Sequence, residues 1–222
     1  MRQKLHERAL VIYEDSDVIL IEKSAGLLSY PLPEDRKADS AIQLIRRYWK
    51  SKNVHNRNLY LLHRLDRDTS GLMIFAKSTL ARKSLINQFN EHSVVRGYIA
   101  ITQGIPNPRQ GTLETMLGRK FTGKRGVTDR GKSSKTYYEV MRASSSHALV
   151  YCSLHTGRTH QVRIHMMHLG TPVVGDRIYG KSKARRLYLH SHILGFIHPR
   201  SQKPQLFLSV IPESFKSVLH AN

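Results

Sequence analysis

The sequence has little cysteine and no long apolar run. Cys152 is its single cysteine, which excludes an intramolecular disulfide and a cysteine-based zinc site of the usual four-ligand kind. Cys152 lies in the alternating apolar run 148–154, and this pattern predicts a buried, inert thiol. No run approaches the roughly 18 apolar residues of a membrane span, and the N-terminus has no apolar leader core. We therefore expect a cytoplasmic protein without membrane association.

Acidic residues are also scarce. The chain of 222 residues has 36 lysines and arginines against 16 acids, which gives a formal charge of +20 and a pI of about 10.4. This excess is spread along the whole chain, so a folded surface is expected to carry it. A surface of this kind favours polyanions, because neutralising phosphates releases counterions. A merely soluble basic surface is the alternative.

Most of the chain reads as short strands with a few capped helices. Apolar runs at 9–13 and 18–21 flank an acidic turn and predict a hairpin. Helices are predicted at 41–50 after Ser40 and at 79–91 after Ser78, because serine is a preferred N-cap. Strands outnumber helices, so we predict an α+β fold. Its mixed, mostly antiparallel sheet would have flanking helices and loops around a central active-site cleft, within a single domain spanning 1–222.

Two basic segments are candidates for contact with RNA phosphates. Residues 106–135 have little apolar content and are predicted to form a basic loop or hairpin. The run 118–124 has the glycine and lysine spacing of a phosphate loop, but Arg125 stands where serine or threonine should bind magnesium, so no nucleotide cofactor is expected. A second basic patch spans 181–186, where a solvated charge run is the alternative. The predicted contacts to the RNA backbone are Lys120, Lys124, Arg125, Lys181, Lys183, Arg185 and Arg186.

The segment 61–77 places a polar loop between two apolar segments, and Asp66 lies within this loop. Rigid flanking elements position a reactive group better than a free loop would. Arg64 and Arg67 flank Asp66, and cationic neighbours favour an ionised carboxylate. We hypothesise that Asp66 is a nucleophile acting on RNA. A salt-bridged aspartate at the entrance of a strand is the alternative.

The densest polar stretch, 155–168, contains Arg163 between apolar neighbours. A buried guanidinium needs a carboxylate partner, and we predict that Asp66 supplies it, whether the segment is helical or extended. The four histidines of this stretch are spaced by five, five and three residues without an acid between them. This spacing does not match a metal-binding helix, so structural hydrogen bonds or phosphate contacts are expected and no metal site is predicted.

Tyr98 lies in a strand-like run, where alternation places Tyr98 and Ala100 on one face. A core aromatic with a satisfied hydroxyl is one interpretation. A ring on which a base stacks is the other.

Four ordered stretches resemble the RluA-type family of pseudouridine synthases over almost the whole chain. They are His63-Arg64-Leu65-Asp66 followed by 68–72, the run 156–165 continued by 170–176, Leu189-His190, and His198-Pro199. Two departures are modest: Arg96 replaces the family's usual lysine two residues before Tyr98, and Ser24 replaces a proline. No RNA-binding module of the S4 type is expected, so the basic surface of the catalytic domain itself would hold the RNA.

The resemblance implies an isomerase that converts uridine to pseudouridine in structured RNA, with the target base flipped out of the RNA and without a cofactor. It implies that Asp66 is the catalytic aspartate, that Tyr98 stacks on the uracil and that Arg163 is the basic partner of Asp66. Arg64 would help to displace the base, and Leu189 would line the pocket. His63 and His160 lie in the two matching motifs and are assigned to substrate binding.

Other functions stay open from the sequence alone. An N-glycosidase would need a second carboxylate to activate water, and the only nearby acid is Asp68. A non-catalytic RNA-binding module is the other alternative. Ribosomal and transfer RNA are both open as substrates, and we expect a monomer because no dimerisation stripe is visible.

Overall fold

The structure is a computed structural model that describes residues 3–33, 38–55, 57–181 and 184–220. The chain forms two compact units. The first contains Met1–Val94 and Ile193–Ser209, and the second contains Val95–His192 and Val210–Asn222.

Twelve strands and four helices are present in the described residues. The helices are α1 (Ala41–Ser51), α2 (Thr79–Asn90), α3 (Gln161–His168) and α4 (Glu213–His220). The strands are β1 (Gln3–His6), β2 (Ala9–Glu14), β3 (Val18–Lys23), β4 (Tyr60–Leu61), β5 (Ser70–Ala76), β6 (Val95–Gln103), β7 (Gln110–Arg119), β8 (Arg125–Val127), β9 (Lys132–Ala143), β10 (His147–Leu154), β11 (Leu189–Ile197) and β12 (Pro204–Leu208).

In the first unit, strands β1, β2, β3 and β5 pair antiparallel in this order, and β4 adds to β5. Strand β12 pairs antiparallel with residues 193–197 of β11. Every residue of β5 is buried, which explains its continuous apolar sequence. Helix α2 packs Ala81 and Leu85 against Leu20, Leu72 and Ile74. The unit therefore has a core of its own, to which β5, the strand after the Asp66 loop, contributes Leu72 and Ile74.

The predicted hairpin and both helix starts of this unit are confirmed. The side chain of Ser40 accepts a hydrogen bond from Gln43 N at 3.4 Å, and Ser78 accepts one from Ala81 N at 3.1 Å. Each serine thus satisfies a backbone N–H that the first turn of a helix leaves without a partner.

In the second unit, β6, β10, β9, β7 and β8 pair antiparallel in this order. Its core contains Ile99, Ile101, Val174, Tyr188 and Phe215, the last from α4. Residues 106–135 contain β7, β8 and the beginning of β9. The segment 118–124 joins β7 to β8, so the helix that must follow a phosphate loop does not follow this turn.

The predicted α+β fold is confirmed, with a mixed, mostly antiparallel arrangement of strands and four helices in the described residues. Cys152 is completely buried on β10, and burial raises the pKa of its thiol to about 12. The expected burial of this thiol is confirmed, and its lack of reactivity stays a prediction. None of the helices in the described part of the chain combines the length and apolar character that crossing a membrane requires.

Candidate active site

Asp66 lies in the loop between β4 and β5, and side chains hold the backbone on both sides of it. On the N-terminal side, Ser29 Oγ donates to Leu65 O at 2.7 Å and accepts from Leu65 N at 3.1 Å. Asp66 O accepts from Thr69 N at 3.1 Å, which closes a turn after Asp66. The carboxylate therefore extends from a backbone whose position is fixed before any ligand binds.

On the C-terminal side the backbone is held by Lys23, whose side chain is completely buried. Its Nζ donates to Leu27 O at 2.8 Å, to Ser24 O at 3.0 Å and to Arg67 O at 3.0 Å. A buried ammonium is tolerated only when its N–H donors are satisfied, and three carbonyl oxygens do this here. Lys23 thus ties the turn after β3 to the residue that follows Asp66.

Lys23→Met should lower the free energy of unfolding by roughly 2 to 4 kcal/mol, because it leaves buried carbonyl oxygens without their donor. Urea unfolding measures the loss. Lys83→Met removes an exposed lysine of α2 and serves as the control, with an expected change within about 0.5 kcal/mol. Equal losses in the two variants would contradict the role assigned to Lys23.

The two other predicted residues of this loop have partners within the first unit. The Arg64 guanidinium lies 4.9 Å from the centre of the Tyr30 ring and donates to its hydroxyl, and the Arg64 side chain is exposed. His63 Nε2 accepts from Ile74 N at 3.1 Å, and its ring stacks on Phe89 at 5.0 Å. His63 therefore links the loop to β5 and α2, and its role in substrate binding stays a prediction.

In the second unit, Arg163 lies on α3, which settles the open choice between helix and strand. Gln161 and His165 anchor this helix. Gln161 Oε1 accepts from Thr156 Oγ1 and Arg158 N, and Gln161 Nε2 donates to Lys135 O and Thr136 Oγ1, all within 3.0 Å. Residues two positions apart on a helix point to opposite sides, so Arg163 faces away from this anchored side.

His165 is completely buried within a group of hydroxyls. Its Nε2 lies 2.9 Å from Thr115 Oγ1 and 3.1 Å from Ser134 Oγ, and its Nδ1 lies 2.9 Å from Thr136 Oγ1. Burial, reinforced by the charge of His168, lowers the pKa of His165 to about 4. The predicted structural hydrogen bonding of this histidine is therefore observed, and at neutral pH its ring is uncharged.

The stability of the protein should fall as the pH drops from about 6.5 to about 4. In this window the unfolded chain binds a proton at His165, whose unfolded pKa is about 6.5, and the folded chain does not. We expect wild type to lose roughly 1 to 2 kcal/mol more between pH 7 and pH 5 than His165→Gln. Urea unfolding at both pH values measures the difference.

His190, whose pKa burial lowers to about 3, adds a contribution of the same sign that both proteins keep. His55→Gln, at an exposed histidine, should retain the wild-type dependence. Identical pH dependence in wild type and His165→Gln would contradict the assignment.

The carboxylate that the structure places against Arg163 is Asp176. Arg163 Nε donates to Asp176 Oδ2 at 2.7 Å and Nη2 donates to Oδ1 at 2.8 Å, and both side chains are buried. Asp176 Oδ1 also accepts from the backbone N–H groups of Ile178 and Tyr179. Burial alone would raise the pKa of Asp176, but these hydrogen bonds and the charge of Arg163 hold it below its usual value.

Sequence reasoning missed Asp176 as a partner, although the residue lies in a matching motif. The predicted pairing of Asp66 with Arg163 stays a prediction. One edge of the Arg163 guanidinium, formed by Nε and Nη2, binds Asp176. A second anionic acceptor would bind at the other edge, formed by Nη1 and the outer N–H of Nη2.

The Tyr179 ring lies beneath the guanidinium, with its centre 5.3 Å from the central carbon of Arg163. The Tyr179 hydroxyl is 2.9 Å from Nδ1 of His160. His160 is thus joined to the Arg163 group through Tyr179.

Tyr98 is buried on β6 opposite Cys152 of β10, and Arg96 shares its face of the strand. Arg96 Nη2 donates to His155 O at 2.7 Å. A Cβ at Gly157 would lie 2.5 Å from Arg96 Nη1, so any other residue there would require the Arg96 guanidinium to shift. Burial lowers the pKa of Arg96, and the positive charge of Arg158 lowers it further. The Tyr98 hydroxyl acts in the opposite direction and raises this pKa. Leu189 is buried at the start of β11, and its place in the wall of the pocket stays a prediction.

The predicted RNA-backbone residues differ in exposure. Lys120, Lys124, Lys181 and Arg185 are exposed, and Arg125 is half-buried. Arg186 is half-buried over the ring of Phe215, at 5.3 Å, and donates to Leu187 O, so part of this side chain serves packing. Lys183 lies outside the described residues. Within the described ranges, no three histidine, cysteine or acidic side chains are grouped as a metal ion would require.

Comparison with known proteins identifies the enzyme family to which the chain belongs. The family model described as RNA pseudouridylate synthase matches residues 17–168, which include Asp66, Tyr98 and Arg163. The chain therefore belongs to this family, and its relatives are named RNA pseudouridine synthases, which are isomerases. The predicted family is confirmed.

Particular relatives are similar over most of this chain. A Bacillus subtilis protein named uncharacterized RNA pseudouridine synthase YlyB is 33% identical over 215 residues, which are 94% of this chain and 71% of the relative. Ribosomal large subunit pseudouridine synthase D of Neisseria meningitidis serogroup A is 34% identical, and the match covers 94% of this chain and 60% of that protein.

Among solved structures, human RNA Pseudouridylate Synthase Domain Containing 4 superposes with a TM-score of 0.77. The match covers 95% of this chain and 91% of the human chain at 24% sequence identity. This similarity supports the fold.

Proposed function

We propose that the protein isomerises uridine to pseudouridine in structured RNA, with Asp66 as the nucleophile. The observation that carries this proposal is the loop of Asp66. In a chain that belongs to the pseudouridine synthase family, Ser29 and the buried Lys23 hold the backbone on either side of this one carboxylate. A nucleophile needs such a fixed position, because misplacement by about 1 Å can cost about 100-fold in rate.

The reaction needs no oxidant, reductant or leaving group. The N1–C1′ bond of the uridine breaks, the base turns, and a C5–C1′ bond forms, while C5 loses a proton and N1 gains one. Asp66 would attack either the sugar C1′ or the base, and both routes return the carboxylate unchanged. Mass is conserved, so the only stable product is the isomerised nucleotide within an intact RNA chain.

The other predicted residues take supporting roles in this proposal. Arg64, which is exposed, would enter the space that the flipped base leaves, and Tyr98 would stack on the uracil. Leu189 would exclude water, which strengthens charge interactions in the pocket. Arg163 would pair with Asp66, and Asp176 would keep its guanidinium oriented. Asp176 also balances the positive charge of Arg163, which would otherwise be buried without a counter-charge.

The identity of the product tests the proposal. Purified protein freed of divalent ions is incubated with total cellular RNA that carries tritium at C5 of uridine. An isomerase releases this tritium to water, because C5 exchanges its hydrogen for the bond to C1′, and the RNA chain stays intact. Free uracil would identify an N-glycosidase instead. If no RNA yields released tritium or free uracil, the protein would be only an RNA-binding module, and the proposal would be refuted.

Large-subunit ribosomal RNA is the first substrate to test, because several relatives carry the name ribosomal large subunit pseudouridine synthase D. Transfer RNA is the second. We further propose that the enzyme acts as a monomer in the cytoplasm, and sedimentation of the purified protein tests its oligomeric state.

A further inference from the structure

The turn between β7 and β8 presents an aromatic ring entirely to solvent. Phe121 is fully exposed to solvent, and its exposed fraction is the highest among the large apolar side chains described as exposed. An isolated ring in water gains nothing for the fold, because no apolar area is buried. A single exposed ring is common on protein surfaces, so the chemistry of the neighbouring residues decides what Phe121 binds.

The turn, which we call the hairpin tip (residues 120–124), has a defined backbone. Lys120 N donates to Lys124 O at 2.9 Å, Gly123 N donates to Lys120 O at 2.9 Å, and Gly123 adopts a φ of 76° that favours glycine. Next to this turn, Arg119 of β7 lies opposite Arg125 of β8 in the register of the two antiparallel strands. The hairpin tip thus holds Phe121 at a fixed point beyond the end of β7.

Cationic residues flank Phe121 in the sequence and on the paired strand. Residues 119–132 contain six basic residues and one acid. None of the six is in an ion pair with a described carboxylate, and all but Arg125 are exposed. The six are Arg119, Lys120, Lys124, Arg125, Arg130 and Lys132. Cations around an exposed aromatic ring match a nucleic acid strand, whose phosphates and unpaired bases alternate along its length.

We propose that the hairpin tip binds an unpaired nucleotide of the RNA substrate, with Phe121 stacked on its base and Lys120 and Lys124 near the flanking phosphates. This inference rests on the proposed function and defines its substrate class further. The preferred RNA would offer an unpaired base, in a loop or bulge, in addition to the target uridine. A base in a regular duplex has no open face for the ring.

A protein or a membrane fits this tip less well. A specific protein interface needs about 800 Å² on each side, which one projecting turn does not offer. Stable membrane anchoring needs a larger apolar face than a single ring.

Equilibrium binding of Phe121→Ala to two probes tests the proposal. The probes are a single-stranded oligouridine of about 12 nucleotides and an RNA duplex of about 12 base pairs. Loss of one stacking contact should weaken binding of the single strand by about 5- to 100-fold and leave duplex binding within about 2-fold. The melting temperature should not change, because the side chain is fully exposed. Leu206→Ala, at an exposed leucine of β12, is the control and should bind both probes as wild type does.

Phe121→Trp reports stacking directly, because the sequence has one other tryptophan, Trp49, which is buried. Its fluorescence should be quenched by the single strand and not by the duplex. In Lys120→Ala/Lys124→Ala, the slope of log Kd against log salt for the single strand should fall by about 1.4.

Equal affinity of Phe121→Ala and wild type for the single strand, or an equal loss for both probes, would overturn the proposal. Phe121-dependent binding to anionic phosphatidylserine vesicles in place of RNA would overturn it as well. These measurements need no turnover. A Phe121-dependent affinity in a protein that isomerises no uridine would therefore refute the proposed function and leave only the binding of an unpaired nucleotide by the hairpin tip.

Discussion

Asp66→Asn is expected to lower the single-turnover rate of pseudouridine formation by at least about 1,000-fold, or about 4 kcal/mol of transition-state stabilisation. Asparagine keeps the size of the side chain but removes the negative oxygen that attacks. The affinity for RNA should change little, because it depends on the basic surface. Tritium release under single-turnover conditions measures the rate, and filter binding measures the affinity.

Asp68→Asn is the matched control. Asp68 is an exposed carboxylate in the same turn, two residues after Asp66, so its replacement changes the net charge equally. We expect its rate to stay within about 3-fold of wild type, because a solvated surface charge contributes little. An active Asp66→Asn enzyme, or equal losses in both variants, would refute the role of Asp66 as nucleophile.

Asp176→Asn should lower the free energy of unfolding by about 3 kcal/mol, because it removes the charge that balances a buried guanidinium. The amide would also turn an N–H group toward Nε or Nη2 of Arg163, which are donors themselves. For a chain of this size, such a loss corresponds to about 6 to 12 °C in the melting temperature. Calorimetry or urea unfolding measures the effect.

Two comparisons separate this pair from an ordinary surface contact. Glu213→Gln disrupts the exposed ion pair between Glu213 and Lys216 and should cost at most about 0.5 kcal/mol. In an Arg163→Met background, Asp176→Asn should cost much less than it does in wild type, since the buried cation is then gone. Strict additivity of the two changes would contradict the coupling that we assign to them.

Local signals made part of this fold predictable. Ser40 and Ser78 cap the helices that they were predicted to cap, because the interaction joins residues only three positions apart. The β2–β3 hairpin follows from two apolar runs and the turn between them. Asp66 could be singled out because a polar loop between apolar segments is itself a local pattern.

Other features depend on contacts that no local pattern encodes. Residues 161–166 of α3 are all buried, so they do not divide into an apolar core side and a polar solvent side, and their periodicity could not separate helix from strand. Asp176 is 13 residues from Arg163 and meets it only because a turn-rich segment folds back beside the helix. The burial of Lys23 depends on the carbonyl oxygens of Ser24, Leu27 and Arg67, and Arg67 is 44 residues away in the sequence.

A map of pseudouridines in cellular RNA tests the central claim most directly. Cells that lack this protein are complemented with wild type, Asp66→Asn or Asp68→Asn, and pseudouridines in ribosomal and transfer RNA are mapped at nucleotide resolution. We predict that at least one uridine is modified with wild type and with Asp68→Asn, and is unmodified without the protein and with Asp66→Asn. Restoration of the modification by Asp66→Asn, or identical maps with and without the protein, would contradict the account.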